Sequence, residues 1–193
     1  MNKNRLEAFS DGVIAIIITI MVLEIKMPHE GTFEALKQVA PAFFSYLLSF
    51  IFIGIYWANH HHLLHVVKRV SSGIIWANMN LLFWLSLIPF ATSWMGESNF
   101  SSTTVACYAI LLNLCGIAFT ILQKVIIQCN PLSETMKLVL KRQNLKGILS
   151  VVSYTLSIPM AYVQPVISGA LFVLVSFMWI IPDKNIEKAL GEN

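Results

Sequence analysis

Residues 9–27 read FSDGVIAIIITIMVLEIKM, and this stretch decides the fold class. From Val13 to Leu23 the run is apolar apart from Thr19. About 20 apolar residues in one helix are enough to cross the roughly 30 Å hydrocarbon core of a bilayer. The stretch therefore predicts a membrane-spanning helix, here taken as residues 9–27.

Five more apolar windows of similar length follow it, at 41–66, 73–95, 104–128, 145–163 and 165–182. The 193-residue chain is 56% hydrophobic and 12% charged, whereas a soluble domain carries about 25% charged residues. These numbers predict an all-α membrane protein. We expect a single six-helix transmembrane domain over residues 1–193, with no extramembrane domain.

The basic residues predict the orientation of these helices, because cytoplasmic loops are enriched in lysine and arginine. With six spans, only Lys26 and Lys37 fall on one side of the membrane. Eleven others share the opposite side, namely Lys3, Arg5, Lys68, Arg69, Lys124, Lys137, Lys141, Arg142, Lys146, Lys184 and Lys188. We therefore expect a multi-pass protein of the cell membrane with both termini in the cytoplasm. Because these charges occupy short loops, the net charge of +3 does not indicate a nucleic-acid partner.

The first helix carries an acid at each end of its apolar part. Asp11 and Glu24 lie thirteen positions apart in the sequence, which is about 20 Å along a helix. An ionisable group inside the membrane boundary normally faces the protein interior or a water-filled cavity. The alternative is that Ser10 or Asp11 only caps a helix end at the interface.

Several short motifs occur within residues 5–95. They are Arg5-x-x-x-Phe9-Ser10-Asp11, Trp57-x-x-His60 followed by Leu63-Leu64, Asn78, and Leu87-Ile88-Pro89-Phe90-x-Thr92. These motifs resemble those of the transmembrane protein 175 family of potassium channels, and beyond residue 95 only the number and hydropathy of the helices agree. The resemblance implies a six-helix subunit that forms a homotetramer around helix one and conducts potassium ions without a cofactor. It also implies a hydrophobic constriction in place of the TVGYG loop, which the sequence lacks.

The family's pore-lining positions correspond to Ile16, Thr19, Ile20 and Leu23. At about 100° per residue, the three apolar ones lie within about 60° of one another and Thr19 flanks them. From the residues alone, however, Ile17 or Ile18 is an equally good candidate for the axis. The same resemblance implies a structural network of Arg5, Phe9, Ser10, Asp11, Trp57, His60 and Asn78. Within it we expect Asp11 to accept hydrogen bonds from Ser10, His60, Asn78 and Arg5.

The histidines at the end of the second window, His60, His61, His62 and His65, suggest a metal site, because His61 and His65 have i, i+4 spacing. No acid or cysteine lies nearby in the sequence, so we expect no metal there and a structural role for His60. An enzyme is not expected, because paired acids or a nucleophile with a base are missing from the spans. The remaining alternative is a proton-coupled secondary transporter that uses Asp11 and these histidines.

Overall fold

The computed structural model describes residues 2–130 and 134–180, with side chains at every one of these positions except 134–139, 141 and 142. This part of the chain forms helices and no strand. The eight helices are α1 (Lys3–Leu23), α2 (Phe33–Gln38), α3 (Ala40–His65), α4 (Ser72–Ser86), α5 (Ile88–Glu97), α6 (Ser102–Cys129), α7 (Glu134–Val163) and α8 (Pro165–Ile180). The end of the predicted 165–182 window lies outside the described residues.

The first helix begins earlier and ends earlier than the predicted window of 9–27. Asn2 caps it, because its side-chain oxygen accepts a hydrogen bond from the backbone N–H of Asn4. Its first turns are polar and therefore invisible to a search for apolar residues. Hydropathy located the membrane-crossing part of α1 but not its ends.

The predicted window 73–95 corresponds to two helices, because the chain breaks at Leu87 into α4 and α5. Pro89 stands in the first turn of α5. In a continuous helix its ring would clash with a carbonyl one turn earlier, and it has no N–H to donate. Taken together, Ser72–Glu97 still has the length and hydropathy of one membrane span.

Two further differences concern α2 and α7. The short α2 was not predicted; Thr32 caps it by accepting a hydrogen bond from the N–H of Ala35. The predicted window 145–163 is the second part of α7, which begins at Glu134. The polar residues before 145 hid this extension from the hydropathy pattern.

Within the described residues, four segments are long and apolar enough to cross a membrane: α1, α3, α4 with α5, and α6. The apolar α8 is shorter. Helix α1 packs against α3, α4 and α5, while α6 packs against α4, α5, α7 and α8. Helices α7 and α8 form a hairpin around Gln164. A methyl group on Gly96 would lie 2.7 Å from the Cα of Ala42, so α3 and α5 touch backbone to backbone there.

Polar contacts between helix ends lie at two opposite ends of the helix bundle. At one end, the Lys3 ammonium donates to the carbonyl of His65 at 2.8 Å, and the backbone N–H of Lys68 donates to Asn130 Oδ1 at 2.8 Å. At the other end, Lys26 pairs with Glu97 at 2.6 Å. This hydrogen bond and the nearby negative charge raise the pKa of the Lys26 ammonium. Lys3 and Lys68 thus lie at the end opposite Lys26, as the loop charges predict.

Candidate functional site: the first helix and the side chains that orient it

Helix α1 has one buried face and one open face within the subunit. The buried face consists of Leu6, Ser10, Ile14, Ile17 and Met21. On the open face Ile16 is 57% exposed, Ile20 41% and Leu23 80%, and Thr19 is exposed as well. The four residues predicted to line a pore therefore share the face of α1 that the other described helices leave exposed.

The position of Ser10 explains which isoleucine is buried. At about 100° per residue, Ile17 lies within about 20° of Ser10 around the helix, whereas Ile16 lies about 120° away. Ser10 is fully buried, Ile17 is 3% exposed, and Ile18 is partly buried between the two faces. The structure thus separates three consecutive isoleucines that sequence periodicity could not tell apart.

Ser10 is held by a directed chain of hydrogen bonds across three helices. Its hydroxyl donates to the carbonyl of Leu6, so its oxygen accepts from Asn78 Nδ2 at 2.9 Å. The side-chain oxygen of Asn78 therefore faces His60 Nε2, 2.7 Å away, and His60 must donate. This chain fixes His60 as the Nε2-protonated tautomer. All three side chains are buried, and His60 Nδ1 has no hydrogen-bond partner among the described residues.

A second set of polar contacts joins α1 to α3, with one contact per helical turn. Lys3 contacts the carbonyl of His65, Glu7 lies 3.1 Å from His61 Nδ1, and Asp11 Oδ1 accepts a hydrogen bond from Trp57 Nε1 at 3.0 Å. From one contact to the next, the residue on α1 is four positions later in the sequence and the residue on α3 is four positions earlier. The two helices are therefore antiparallel, with their register set by these pairs.

The expected network around Asp11 is thus divided into two. Among the described hydrogen bonds, Asp11 pairs with Trp57 and not with Ser10, His60, Asn78 or Arg5. The reason is geometric: Asp11 lies about 100° from Ser10 around the helix, toward α3, while Asn78 approaches from α4. The predicted bonds from Ser10, His60 and Asn78 to Asp11 are wrong, although these three residues do contact one another.

Arg5 and Phe9 lie apart from both networks. Arg5 is exposed and Phe9 is 50% exposed. At about 100° per residue, both fall on the same side of α1 as Ile16 and Ile20. They extend the open face of α1 toward its N-terminal end and do not contribute to the buried chain.

One of the clustered histidines contacts an acid, Glu7, that is distant from it in the sequence. Glu7 of α1 reaches His61, whose ring also stacks on Trp57 at 6.3 Å. Across the described side chains, no three histidine, cysteine, aspartate or glutamate groups are arranged to hold a metal ion. The prediction that no metal binds here stays a prediction.

Thr19 presents its oxygen and not its proton to the open face. Its hydroxyl lies 2.9 Å from the carbonyl of Ile16 and 3.2 Å from that of Ala15, and it donates within its own helix. The oxygen lone pairs then remain available outside the helix. Chemically, this group can accept a hydrogen bond from water or contact a cation.

Sequence reasoning missed a second buried polar cluster, between α3, α5 and α6. Ser49 Oγ lies 2.6 Å from Thr92 Oγ1 and 2.8 Å from the Tyr108 hydroxyl, and all three are buried. Thr92 is the last residue of the motif that begins at Leu87, but no motif in the sequence pointed to Ser49 or Tyr108. The cluster joins α3, α5 and α6 and includes no residue of α1.

Known proteins share both the sequence and this fold. A family model described as "Endosomal/lysosomal potassium channel TMEM175" matches residues 5–89. A potassium channel from Chryseobacterium sp. (strain P1-3) is 49% identical over 193 residues, which is 100% of each chain. The chain belongs to the TMEM175 family. A second relative, a potassium channel from Streptomyces collinus, is 35% identical over 62% of each chain.

A solved member of the TMEM175 family has the same architecture. It is the crystal structure of a lysosomal potassium-selective channel TMEM175 homolog from Chamaesiphon minutus, with a TM-score of 0.82 and 25% identity. The match covers 93% of this chain and 96% of that one. The arrangement of helices described above is therefore the TMEM175 fold.

Proposed function

We propose that this protein is a potassium channel in which four copies of α1 surround the ion path. The observation that carries the potassium channel assignment is the 49% identity, over the whole of both chains, to a protein named as a potassium channel. We place each subunit in the cell membrane with six spans, formed by α1, α3, α4 with α5, α6, α7 and α8. Both termini would lie in the cytoplasm, because the lysine- and arginine-rich loops favour that side.

The open face of α1 supports the tetrameric arrangement. Besides its apolar residues, this face carries Gly12, Ala15 and Thr19, all exposed. A methyl group on Gly12 would meet no other atom of the described residues within 4 Å. Small residues let neighbouring membrane helices approach closely. In this proposal Gly12 and Ala15 contact the next copy of α1, while Thr19 and the larger apolar residues face the axis.

Ile16 is the residue that we propose for the narrowest ring. Four isoleucine side chains at one level can close a path by excluding water, without a charged gate. Ile20 and Leu23 would add apolar rings about 6 Å and about 10 Å further along the helix. Potassium would then be preferred through the ring diameter and the Thr19 oxygens, and the TVGYG filter would not be needed.

Recordings in planar bilayers under a potassium/sodium gradient test the ion, the channel and the pore face together. Wild-type protein should give unitary current steps and a reversal potential toward that of potassium. Ile16→Asn should raise the current, because it enlarges and hydrates the ring. It should also weaken the preference for potassium over sodium and so move the reversal potential toward zero. The matched controls, Ile17→Asn and Ile18→Asn, should mainly disturb packing. An unchanged Ile16→Asn current alongside an altered control would reject this pore face.

The same recordings distinguish the channel from a proton-coupled transporter, which would give saturable flux without unitary steps. Replacing His61, His62 and His65 together should leave conductance at neutral pH largely intact, while His60 should tolerate replacement less well. The physical reason is that His60 is buried and bonded to Asn78, whereas His61 and His65 are exposed. Loss of current together with loss of a stoichiometric metal in the triple variant would contradict the proposal.

A further inference from the structure

A small cavity of about 40 Å³ lies between α3, α6, α7 and α8. No residue of α1 belongs to its described lining, so it is separate from the ion path proposed above. One water molecule needs about 10–15 Å³ of such space, whereas a cavity that binds benzene measures about 150 Å³. The cavity therefore has room for about three water molecules and for no larger ligand.

The lining of this cavity is polar at one end and aromatic at the other. Asn59, Gln123 and Gln143 form the polar end, less than two turns before the end of α3. Gln143 Nε2 donates to Asn59 Oδ1 at 3.3 Å, and Gln143 Oε1 accepts from Gln123 Nε2 at 3.5 Å. At the other end Phe52 and Tyr154 pack edge to face, with ring centroids 6.1 Å apart. Polar groups and aromatic walls thus surround the same small space.

Three polar groups of this lining take part in none of the described hydrogen bonds: the hydroxyls of Tyr56 and Tyr154, and the side-chain oxygen of Gln123. Tyr154 is 3% exposed and Gln123 is 4% exposed. Within the described part of the chain, the fully enclosed side-chain nitrogen or oxygen without a partner is His60 Nδ1. The three groups therefore keep some accessible surface, and the space that they reach is the cavity. Buried polar groups normally have a partner, either in the protein or in ordered water.

The chemistry of the lining selects what this partner can be. The described lining contains no charged side chain, and burying an ion without an opposite charge is costly. The tyrosine hydroxyls both donate and accept hydrogen bonds, whereas a carboxamide oxygen only accepts. The partner must then be uncharged, able to donate and accept, and very small. Water meets all three conditions.

We propose that this cavity holds a cluster of about three bound water molecules. The cluster links the hydroxyls of Tyr56 and Tyr154 to the carboxamides of Gln123 and Gln143, and so joins α3, α6 and α7 where direct hydrogen bonds are missing. Each water makes two or more hydrogen bonds to the lining or to a neighbouring water. These waters belong to the folded subunit, and they exchange with bulk solvent more slowly than surface water does.

Hydroxyl-radical footprinting of the full-length protein with X-rays tests this proposal, because radicals form at bound water and oxidise the side chains beside it. Tyr154 should be oxidised several-fold faster than Tyr108, which is also buried but does not belong to the cavity lining. Equally slow oxidation of the two tyrosines would indicate a dry cavity and would overturn the proposal.

Gly147→Val tests whether water in this cavity causes the oxidation of Tyr154. Gly147 belongs to the lining, and a Cβ atom there would lie 4.0 Å from Oγ1 of Thr120, another lining residue. The valine side chain should displace the water and slow the oxidation of Tyr154 several-fold. Gly169→Val is the matched control, because Gly169 lies outside the described lining and a Cβ atom there meets no atom of the described residues within 4 Å.

The control variant should leave the oxidation rate of Tyr154 unchanged. If Gly147→Val does not fold, Gly147→Ala serves the same purpose and should slow the oxidation less. An unchanged rate in the Gly147 variant that folds would overturn the proposal, because the radicals would then reach Tyr154 by another route.

Rapid mixing with water labelled by a heavy oxygen isotope, just before irradiation, separates bound water from open solvent. Tyr162 is 63% exposed and should take up the heavy isotope at once. Tyr154 should take it up later, because the waters beside it exchange slowly. Simultaneous uptake at both tyrosines would show that the cavity only admits bulk solvent, which would also overturn the proposal. None of these measurements depends on ion conduction.

Discussion

Replacing Asn78 by leucine should destabilise the subunit by about 2–4 kcal/mol. The substitution removes the hydrogen bonds from His60 and to Ser10. Interhelical hydrogen bonds in membranes are worth about 0.6 kcal/mol each on average, which accounts for about 1.2 kcal/mol. The N–H of His60 is then left buried without a partner, and an unsatisfied buried donor costs about 1–3 kcal/mol more.

Unfolding in mixed micelles with increasing denaturing detergent, followed by circular dichroism, measures this loss. Asn80→Leu is the control, because Asn80 lies on the same helix but accepts its hydrogen bond from Trp84, one turn away. We expect that variant to lose less than about 1 kcal/mol.

A double-mutant cycle separates the unsatisfied donor from general packing. His60→Leu made in the Asn78→Leu background removes that donor, so it should cost about 1–3 kcal/mol less than it does in the wild-type protein. Two changes that simply add within about 0.5 kcal/mol would refute the reasoning, because residues without energetic coupling behave in that way. An Asn78→Leu effect no larger than that of Asn80→Leu would also refute it.

Two further predictions use the same unfolding measurement. Asp11→Ala should lower the free energy of unfolding by only about 1 kcal/mol, because it removes one hydrogen bond from the half-exposed Trp57. Asp11→Asn should lower it less, since the amide oxygen can still accept that hydrogen bond. Equal losses in the two variants would contradict this explanation. Gly96→Ala should cost about 1–3 kcal/mol because its methyl group would press on the backbone of Ala42. The methyl group of Gly169→Ala would meet no atom of the described residues within 4 Å, so this variant should be neutral or stabilising. A loss comparable to that of Gly96→Ala would exclude the packing explanation.

Four of the six predicted windows correspond to segments long and apolar enough to span a membrane, because hydropathy acts locally on each run of apolar residues. The sequence predicts helix ends poorly, since the first turns of α1 and the first part of α7 are polar in sequence and leave no hydropathy signal. The break at Leu87 was readable in principle from Pro89, but a proline within an apolar window is also compatible with a continuous, kinked helix.

The site was predictable in its residues but not in its pairings. The family resemblance names Ser10, Asp11, Trp57, His60 and Asn78 without saying which of them touch. Partners such as Asp11 and Trp57 are 46 residues apart, and their contact depends on the rotation of both helices. The hydrophobic pattern of the sequence does not reveal how α1 is rotated about its axis, because three consecutive isoleucines place apolar groups on every side of the helix.

The bond between Ser10 and Asn78 also makes α1 far more sensitive to changes of length than to changes of side chain. Deleting one residue between Asp11 and Ile16 would keep Ser10 in place but turn every later residue by about 100°. Ile17 would then replace Ile16 on the open face, although the composition of the helix would hardly change. An insertion of seven residues turns the helix by only about 20° and largely preserves the orientation. Insertions and deletions in this segment are therefore constrained by the helical repeat, while many apolar substitutions are not.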